Sequence, residues 1–216
     1  MQPSIKVNYQ KTETAYIAQQ WLNSLPDLFA ADFEVAIKYT TQEIAEFKEQ
    51  LKLSTNKAEQ IRLQSIINAD PLGLPQHCVI THLSVAWSES DSYVFVLTNK
   101  AITNVVLRFL TTTTKTQVWH NAGYDFRQLL HHSGKVPINY EDTQILAKTL
   151  MNHVESYKAD TGLKSLAGQW YGSWGISADN FTIEQIRDIN NIKYAATDAC
   201  ATYKLWTELQ SFIKEA

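Results

Sequence analysis

Residues 28–36 read LFAADFEVA, an apolar run interrupted by two acids, Asp32 and Glu34. The run follows a Pro-Asp break, and this context predicts a buried β-strand. Side chains two residues apart in a strand point to the same face, so the two carboxylates should lie side by side. Such a pair repels unless a divalent cation lies between the carboxylates. One acid could instead cap a turn or pair with a lysine such as Lys38.

A third acid follows a short apolar strand within QVWHNAGYDFRQLLHHSG, residues 117–134. The pattern breaks into an amphipathic helix with predicted apolar positions at Phe126, Leu129 and Leu130. Asp125 lies near the start of that helix, where the helix dipole favours a carboxylate, which could be a simple capping residue. Asn121 lies four residues earlier and carries an amide suited to a phosphate or sugar oxygen.

The third segment, NIKYAATDA, occupies residues 191–199. Tyr194 and Asp198 are four residues apart, so on a helix they share a face one turn apart. The sequence has no glycine or proline from residue 176 to its end, which favours a long helix here. Taken alone, the pair would be a tyrosine at the core edge and a solvated aspartate.

Together, the three segments resemble the DnaQ-like superfamily of 3'-5' exonucleases, in the subclass with four acids and a tyrosine. The closest resemblance is to the proofreading domain of family A DNA polymerases. EDTQILAKTL (141–150) and GLKSLAGQWYG (162–172) also match. The sister subclass carries a histidine just upstream of the last aspartate, and residues 188–197 contain none. The resemblance therefore indicates the tyrosine subclass.

The resemblance implies an α/β, ribonuclease-H-like fold, with a mixed sheet flanked by helices in a single domain over residues 1–216. Hydrophobic patterns predict a leading helix over about 11–24, strands near 78–88 and 92–98, and a helix over 100–111. The first three strands should form an antiparallel run. Residues 40–76 form an insertion after the first strand, and their spacing predicts a helical hairpin. The hairpin could cover the cleft, guide a strand, dock a protein or merely stabilise the fold.

The resemblance also implies metal-dependent hydrolysis at the 3' end of single-stranded or frayed DNA, releasing nucleoside 5'-monophosphates. Two Mg²⁺ or Mn²⁺ ions would be bound by the four acids. The residues implied as catalytic are Asp32, Glu34, Asp125, Tyr194 and Asp198. Those implied to bind substrate are Asn121, Val35 and Phe33. Tyr194, with an ordinary pKa near 10, is better suited to orient water than to act as a base.

Composition agrees with one domain of moderate size. The 216 residues are 44% hydrophobic, carry a net charge of −3 and have a pI near 6.1. This charge argues against broad non-specific affinity for duplex DNA, although an end-trimming site needs to bind only a few nucleotides. Neither a signal peptide nor a membrane-spanning run is evident, so we expect a cytoplasmic protein. Cys78 and Cys200 should be reduced thiols, and the six histidines are interpreted as structural or surface groups.

Several functions remain open at this point. The chain ends with the third motif, so we expect an independent DNA proofreading or end-trimming subunit working with a separately encoded polymerase. A ribonuclease-D-like enzyme, a repair or salvage exonuclease, and a silent binding module are the alternatives. Basic and aromatic residues before the last motif could contact bases near the cleft. They are Lys158, Lys164, Trp170, Tyr171 and Trp174.

Overall fold

The computed structural model describes residues 8–12, 14–68, 74–97, 99–151, 160–171 and 187–215. The strands within these ranges are β1 (Asn8–Thr12), β2 (Leu28–Ile37), β3 (Cys78–Ala86), β4 (Asp91–Val96), β5 (Thr116–Trp119) and β6 (Tyr140–Asp142). The helices are α1 (Ala15–Ser24), α2 (Thr41–Leu53), α3 (Lys57–Ile67), α4 (Lys100–Thr112), α5 (Ala122–Ser133), α6 (Thr143–Met151), α7 (Leu163–Tyr171) and α8 (Ile189–Glu215). None of these helices combines the length and apolar character needed to cross a membrane.

The strands form one mixed sheet in the order β1-β4-β3-β2-β5-β6. Strands β2, β3 and β4 pair antiparallel, which confirms the predicted antiparallel run. Strands β5 and β6 continue parallel to β2, and β1 adds parallel to β4 at the opposite edge. The predicted mixed α/β fold is therefore confirmed.

The start of the leading helix was predicted too early. Lys11 and Thr12 belong to β1, where they lie opposite Val94 and Phe95 of β4. The helix itself begins at Ala15, after Thr14 adopts an extended backbone. The free backbone groups at the edge of β4 offer partners that a local helix pattern does not reveal.

Two layers of helices cover the sheet. On one face the large side chains of Phe29, Phe33 and Trp119 pack among residues of α1 and α4. On the other face α8 lies across β2, β3 and β4 through alanines, including Ala195 and Ala199. Small side chains let this helix approach the sheet closely, and that approach places its polar residues beside the middle of β2.

A bulge interrupts the ladder between β2 and β3. Glu34 lies opposite His82, whereas the next residue, Val35, lies opposite Ile80, so Thr81 is an extra residue on β3. The Thr81 hydroxyl donates to the Glu34 carbonyl at 3.0 Å, and the Thr81 carbonyl accepts from the Leu97 amide at 2.9 Å. Bulges of this kind bend a strand and re-aim its side chains, frequently beside functional sites.

Residues 40–76 contain the helices α2 and α3, which contact each other. Thr40 and Glu43 form a reciprocal capping box at the start of α2, and Asn56 caps α3 through the amides of Ala58 and Glu59. Helix α2 has no buried residue, whereas Leu63 and Ile66 of α3 are buried. We call α2 and α3 together the helical hairpin.

Candidate active site

Three carboxylates converge where β2 meets α8. Asp32 and Glu34 project from the same face of β2, as the strand alternation predicts, and Asp198 faces them from α8. One oxygen from each carboxylate lies within 4.8 Å of the others. We call these three residues the acid cluster. Residues 164 positions apart in the chain thus form a single negatively charged group.

Asp125 adjoins the acid cluster but is held differently. Its side chain is buried, and its Oδ1 accepts a hydrogen bond from the Phe33 amide at 3.1 Å. That bond ties the first turn of α5 to the strand segment between Asp32 and Glu34. Asp125 therefore contributes a fourth carboxylate at a fixed position beside the other three.

Asp142, a residue that the sequence analysis did not single out, sets the start of α5. Its Oδ1 accepts from the amides of Asn121 and Gln144 at 3.1 and 2.8 Å, and its Oδ2 accepts from the Ala122 amide at 2.8 Å. One buried carboxylate thus caps both α5 and α6. Asp142 thus caps α5 from β6, while the Asp125 carboxylate in the first turn of α5 accepts from the Phe33 amide and from its own backbone amide.

Asn121 occupies the turn before α5. Its backbone has a φ of 58° in the left-handed region, which asparagine tolerates better than most residues. Its side chain makes no capping hydrogen bond to the helix and is exposed. The amide is therefore available at the edge of the site.

Burial and mutual repulsion make these acids hard to ionise. Burial raises the pKa of Asp32 well above its ordinary value, and the charges of Asp125 and Asp198 raise it further. Burial likewise raises the pKa of Glu34, with further increases from Asp32 and Asp198. Burial raises the pKa of Asp125 to about 8, although the hydrogen bond from Phe33 opposes this shift. A bound cation would restore the ionised forms.

The arrangement fits a divalent metal ion. Glu34 Oε1 is buried and has no hydrogen-bond partner among the residues that the structure describes. Leaving a buried carboxylate oxygen without a partner is costly, and a metal ion would satisfy it. Carboxylate oxygens are the ligands that Mg²⁺ and Mn²⁺ prefer. The residues present therefore suit the implied ions.

Tyr194 lies one turn before Asp198 and is almost fully buried. Burial raises the pKa of its phenol far above its ordinary value, and the charges of Asp198, Glu34 and Asp32 add to this shift. The phenol therefore keeps its proton throughout the neutral range. The ammonium of Lys164 donates a hydrogen bond to the phenol oxygen and lies 3.5 Å from Asp198 Oδ2.

A cavity of about 320 Å³ opens over these groups. Besides the four acids, its lining includes Phe33, His120, Asn121, Tyr124, Gln144 and Lys164. Val35 is not among the described lining residues; it packs against the hydrophobic core instead. The side chain of Phe33 is 3% exposed and contacts Trp119, and its amide is engaged by Asp125.

His120 was interpreted only as a structural or surface group, yet it lines this cavity. Its Nδ1 lies 2.8 Å from the Thr143 hydroxyl, and burial lowers its pKa to about 4. The imidazole is therefore neutral near pH 7. A single histidine beside Asn121 has no spacing that would have revealed this position from sequence.

Other predicted residues lie away from this geometry. Leu130, expected on the apolar side of α5, is 55% exposed, because the helix turns that position away from the core. Lys158, Trp174 and the side chains of Trp170 and Tyr171 lie outside the described residues. Of the basic residues suggested near the cleft, the structure therefore places Lys164.

Residues 76–214, more than half of the chain, match the sequence model of a 3'-5' exonuclease family. No curated protein sequence matches the chain. Three similar solved structures show the same fold. Mg²⁺-bound NrnC from Brucella melitensis aligns with 99% of this chain and 83% of its own, at 17% identity and a TM-score of 0.58. Brucella melitensis NrnC bound to pGG aligns with 98% of this chain and 82% of its own, at 17% sequence identity and a TM-score of 0.54. Trypanosoma brucei RNase D aligns with 95% of this chain and 65% of its own, at 18% sequence identity and a TM-score of 0.63.

Proposed function

The chain belongs to the 3'-5' exonuclease family within the DnaQ-like superfamily, and we propose that it removes nucleoside 5'-monophosphates from single-stranded or frayed DNA 3' ends. The observation that carries this proposal is the acid cluster, with ligand oxygens within 4.8 Å of one another at the wall of an open cavity. Asp125 and Tyr194 adjoin the acid cluster, and we propose that they complete the site.

We assign the acid cluster to one divalent ion, and Asp32 together with Asp125 to a second. Bound there, the ions would activate a water molecule and stabilise the leaving 3'-oxygen. The chain's own task is to hold the carboxylates still. The Phe33 amide fixes Asp125, and the alanines of α8 fix the approach of Asp198 to β2.

Tyr194 orients the attacking water in this proposal. Its phenol stays protonated because burial and the neighbouring acids raise its pKa, so it can donate a hydrogen bond but cannot serve as a base. A side-chain hydrogen bond between the Tyr194 phenol and Asp198 keeps the hydroxyl beside the acid cluster.

The terminal nucleotide would enter along the wall formed by Asn121 and Phe33. Asn121 presents an exposed amide that can bind a phosphate or sugar oxygen. Phe33 supports this wall from within, because its side chain is 3% exposed and packs on Trp119, and its amide already donates to Asp125. Val35 would act only by supporting this wall from the core side.

DNA is the proposed substrate because the three motifs most resemble the proofreading domain of family A DNA polymerases. RNA is the second candidate, favoured by the structural similarity to Trypanosoma brucei RNase D. The same chemistry serves both, since the 2'-hydroxyl is what distinguishes them. We further propose that a separately encoded polymerase supplies the DNA ends, which affinity purification followed by mass spectrometry would test.

The deciding experiment compares 5'-labelled single-stranded DNA, RNA and duplex DNA with a mismatched 3' end, each with Mg²⁺, Mn²⁺ or EDTA. Asp32→Asn is the matched inactive control, because it keeps the side-chain shape and removes the charge. A metal-dependent ladder shortening from the 3' end of DNA supports the proposal. Degradation of RNA alone would establish the second candidate, and cleavage by Asp32→Asn would refute the site.

A further inference from the structure

Lys164 brings a positive charge to the acid cluster. Its ammonium donates to the Tyr194 hydroxyl, lies 3.5 Å from Asp198 Oδ2, and lies 4.3 Å from the centre of the Tyr194 ring. Among the described residues that line the cavity, it is the one lysine or arginine. Its side chain is 48% exposed, so it extends from the mouth of the cavity inward.

The charge of Lys164 acts on the acid cluster as a whole. It lowers the pKa values of Asp32 and Glu34, in opposition to burial, which raises them. In the arrangement seen here, the ammonium therefore provides part of the neutralisation that a metal ion would provide. Since the ammonium lies 3.5 Å from Asp198 Oδ2 and the lysine side chain is 48% exposed, water screens this ion pair.

A divalent ion held by the acid cluster would repel this ammonium, because both cations would share the Asp198 carboxylate. The four-carbon side chain of lysine is flexible and carries three donors on a compact charge. Turning toward the cavity mouth would place those donors where an anionic backbone enters. It would also release the Tyr194 hydroxyl for another hydrogen bond.

We propose that Lys164 exchanges partners: it neutralises Asp198 and Tyr194 in the metal-free site, and it binds a phosphate oxygen of the substrate once metal is bound. This inference rests on the proposed function, since it requires a phosphodiester substrate and a metal-binding acid cluster. It assigns to Lys164 two effects of opposite sign, weaker metal binding and stronger substrate binding.

The test uses Lys164→Met, Lys164→Arg and a matched surface control, Lys193→Met, which removes a lysine from the exposed side of α8. Calorimetry would measure Mn²⁺ binding to each substrate-free protein. Fluorescence anisotropy with Ca²⁺ would measure binding of a labelled single-stranded DNA hexamer at several salt concentrations. Both measurements are independent of turnover.

For Lys164→Met we expect Mn²⁺ to bind about fivefold more tightly, because a competing charge is removed. We expect the hexamer to bind about tenfold more weakly, with the slope of log affinity against log salt reduced by about 0.7. Lys164→Arg should retain the salt slope, and Lys193→Met should match the wild type. A merely structural role would weaken both affinities together.

Loss of both affinities, or no change in either, would overturn the exchange. These outcomes are separable from failure of the proposed function. A wild-type protein that binds no Mn²⁺ and cleaves no nucleic acid refutes the exonuclease itself. A wild-type protein that does both, beside an unaltered Lys164→Met variant, refutes only the role of Lys164.

Discussion

The acid cluster and the helical hairpin are held in place by opposite kinds of interaction. The hairpin begins its helices with local caps, the Thr40 and Glu43 box and the Asn56 side chain, and α2 buries no residue. The acid cluster has no such local support; its carboxylates come from β2 and α8 and meet only when the sheet has formed. Local sequence thus shapes the hairpin, whereas the whole fold is needed to assemble the cluster, against the repulsion of its members.

The sharpest test of this contrast removes one carboxylate from each region. Asp198→Asn should lower turnover by about a thousandfold or more, because it removes one of the three carboxylates assigned to the first metal ion. It should also leave the metal-free melting temperature unchanged or higher, since it relieves repulsion with Asp32 and Glu34. Glu46→Gln, on the exposed α2 helix, should alter neither quantity. An equal loss of activity in both variants would contradict the proposed difference between the acid cluster and the helical hairpin.

A second test separates carboxylates that stabilise from those that repel. Asp142→Ala removes the acceptors for the amides at the starts of α5 and α6, and should cost about 2–4 kcal/mol of unfolding free energy. Urea denaturation followed by circular dichroism would measure this loss. Asp142→Asn, which keeps one acceptor oxygen, should lose less. An unchanged stability in the alanine variant would show that these caps are not needed.

Removing the Tyr194 hydroxyl probes the edge of the acid cluster. Tyr194→Phe should lower turnover by about tenfold, the effect of one hydrogen bond on the water, while Mn²⁺ binding is preserved. Steady-state kinetics across pH 6–9 would check it. Because the pKa of the phenol lies far above this range, the pH profile should keep its shape. If one side of the pH dependence of turnover disappeared in this variant, Tyr194 would instead be a group that ionises during the reaction.

Because of the acid cluster and Asp125, pH should affect the stability of the protein as well as its activity. The folded-state pKa of Asp125 is about 8, above its unfolded value, and those of Asp32 and Glu34 are raised too. Folded acids therefore hold protons more tightly, and stability falls as pH rises from about 4 to about 8. In EDTA we expect a decrease in melting temperature of about 3 °C or more between pH 5 and pH 8. Asp125→Asn should flatten this slope, and Mn²⁺ should reverse it.

The smallest effect belongs to the hairpin. Thr40→Ala removes one half of the capping box and should cost about 1 kcal/mol locally, without changing turnover. Hydrogen exchange of the α2 amides would detect the loss, because the rest of the fold does not depend on this helix. A fall in exonuclease activity would instead make the hairpin part of the substrate path.

The central strands, the α8 helix and the faces that carry Asp32, Glu34 and Asp198 were predictable, because strand alternation and helical spacing are local patterns. That these three carboxylates meet was implied by the resemblance to the exonuclease superfamily. Asp32, Glu34 and Asp198 occupy the face that these patterns give them. Asp142 could not be identified in the same way, because it caps a helix whose amide donor, at Ala122, is 20 residues away in the sequence. Lys164 was suggested only as a basic residue near the cleft; its contact with Tyr194 depends on how α7 meets α8. β1 was missed because it is a strand by virtue of pairing with the edge strand β4, and its own sequence has no clear strand pattern.

The extra residue at Thr81 makes the length of β3 adjustable at one point. Residues on either side of it already pair in register with β2, with Leu83 opposite Phe33 and Ile80 opposite Val35. Deleting Thr81 would leave both sets of pairs facing as they do now, whereas deleting a neighbour such as Ser84 would turn one side of the strand over. Natural insertions and deletions in β3 should therefore be tolerated best at position 81, directly beside the carboxylates of the site.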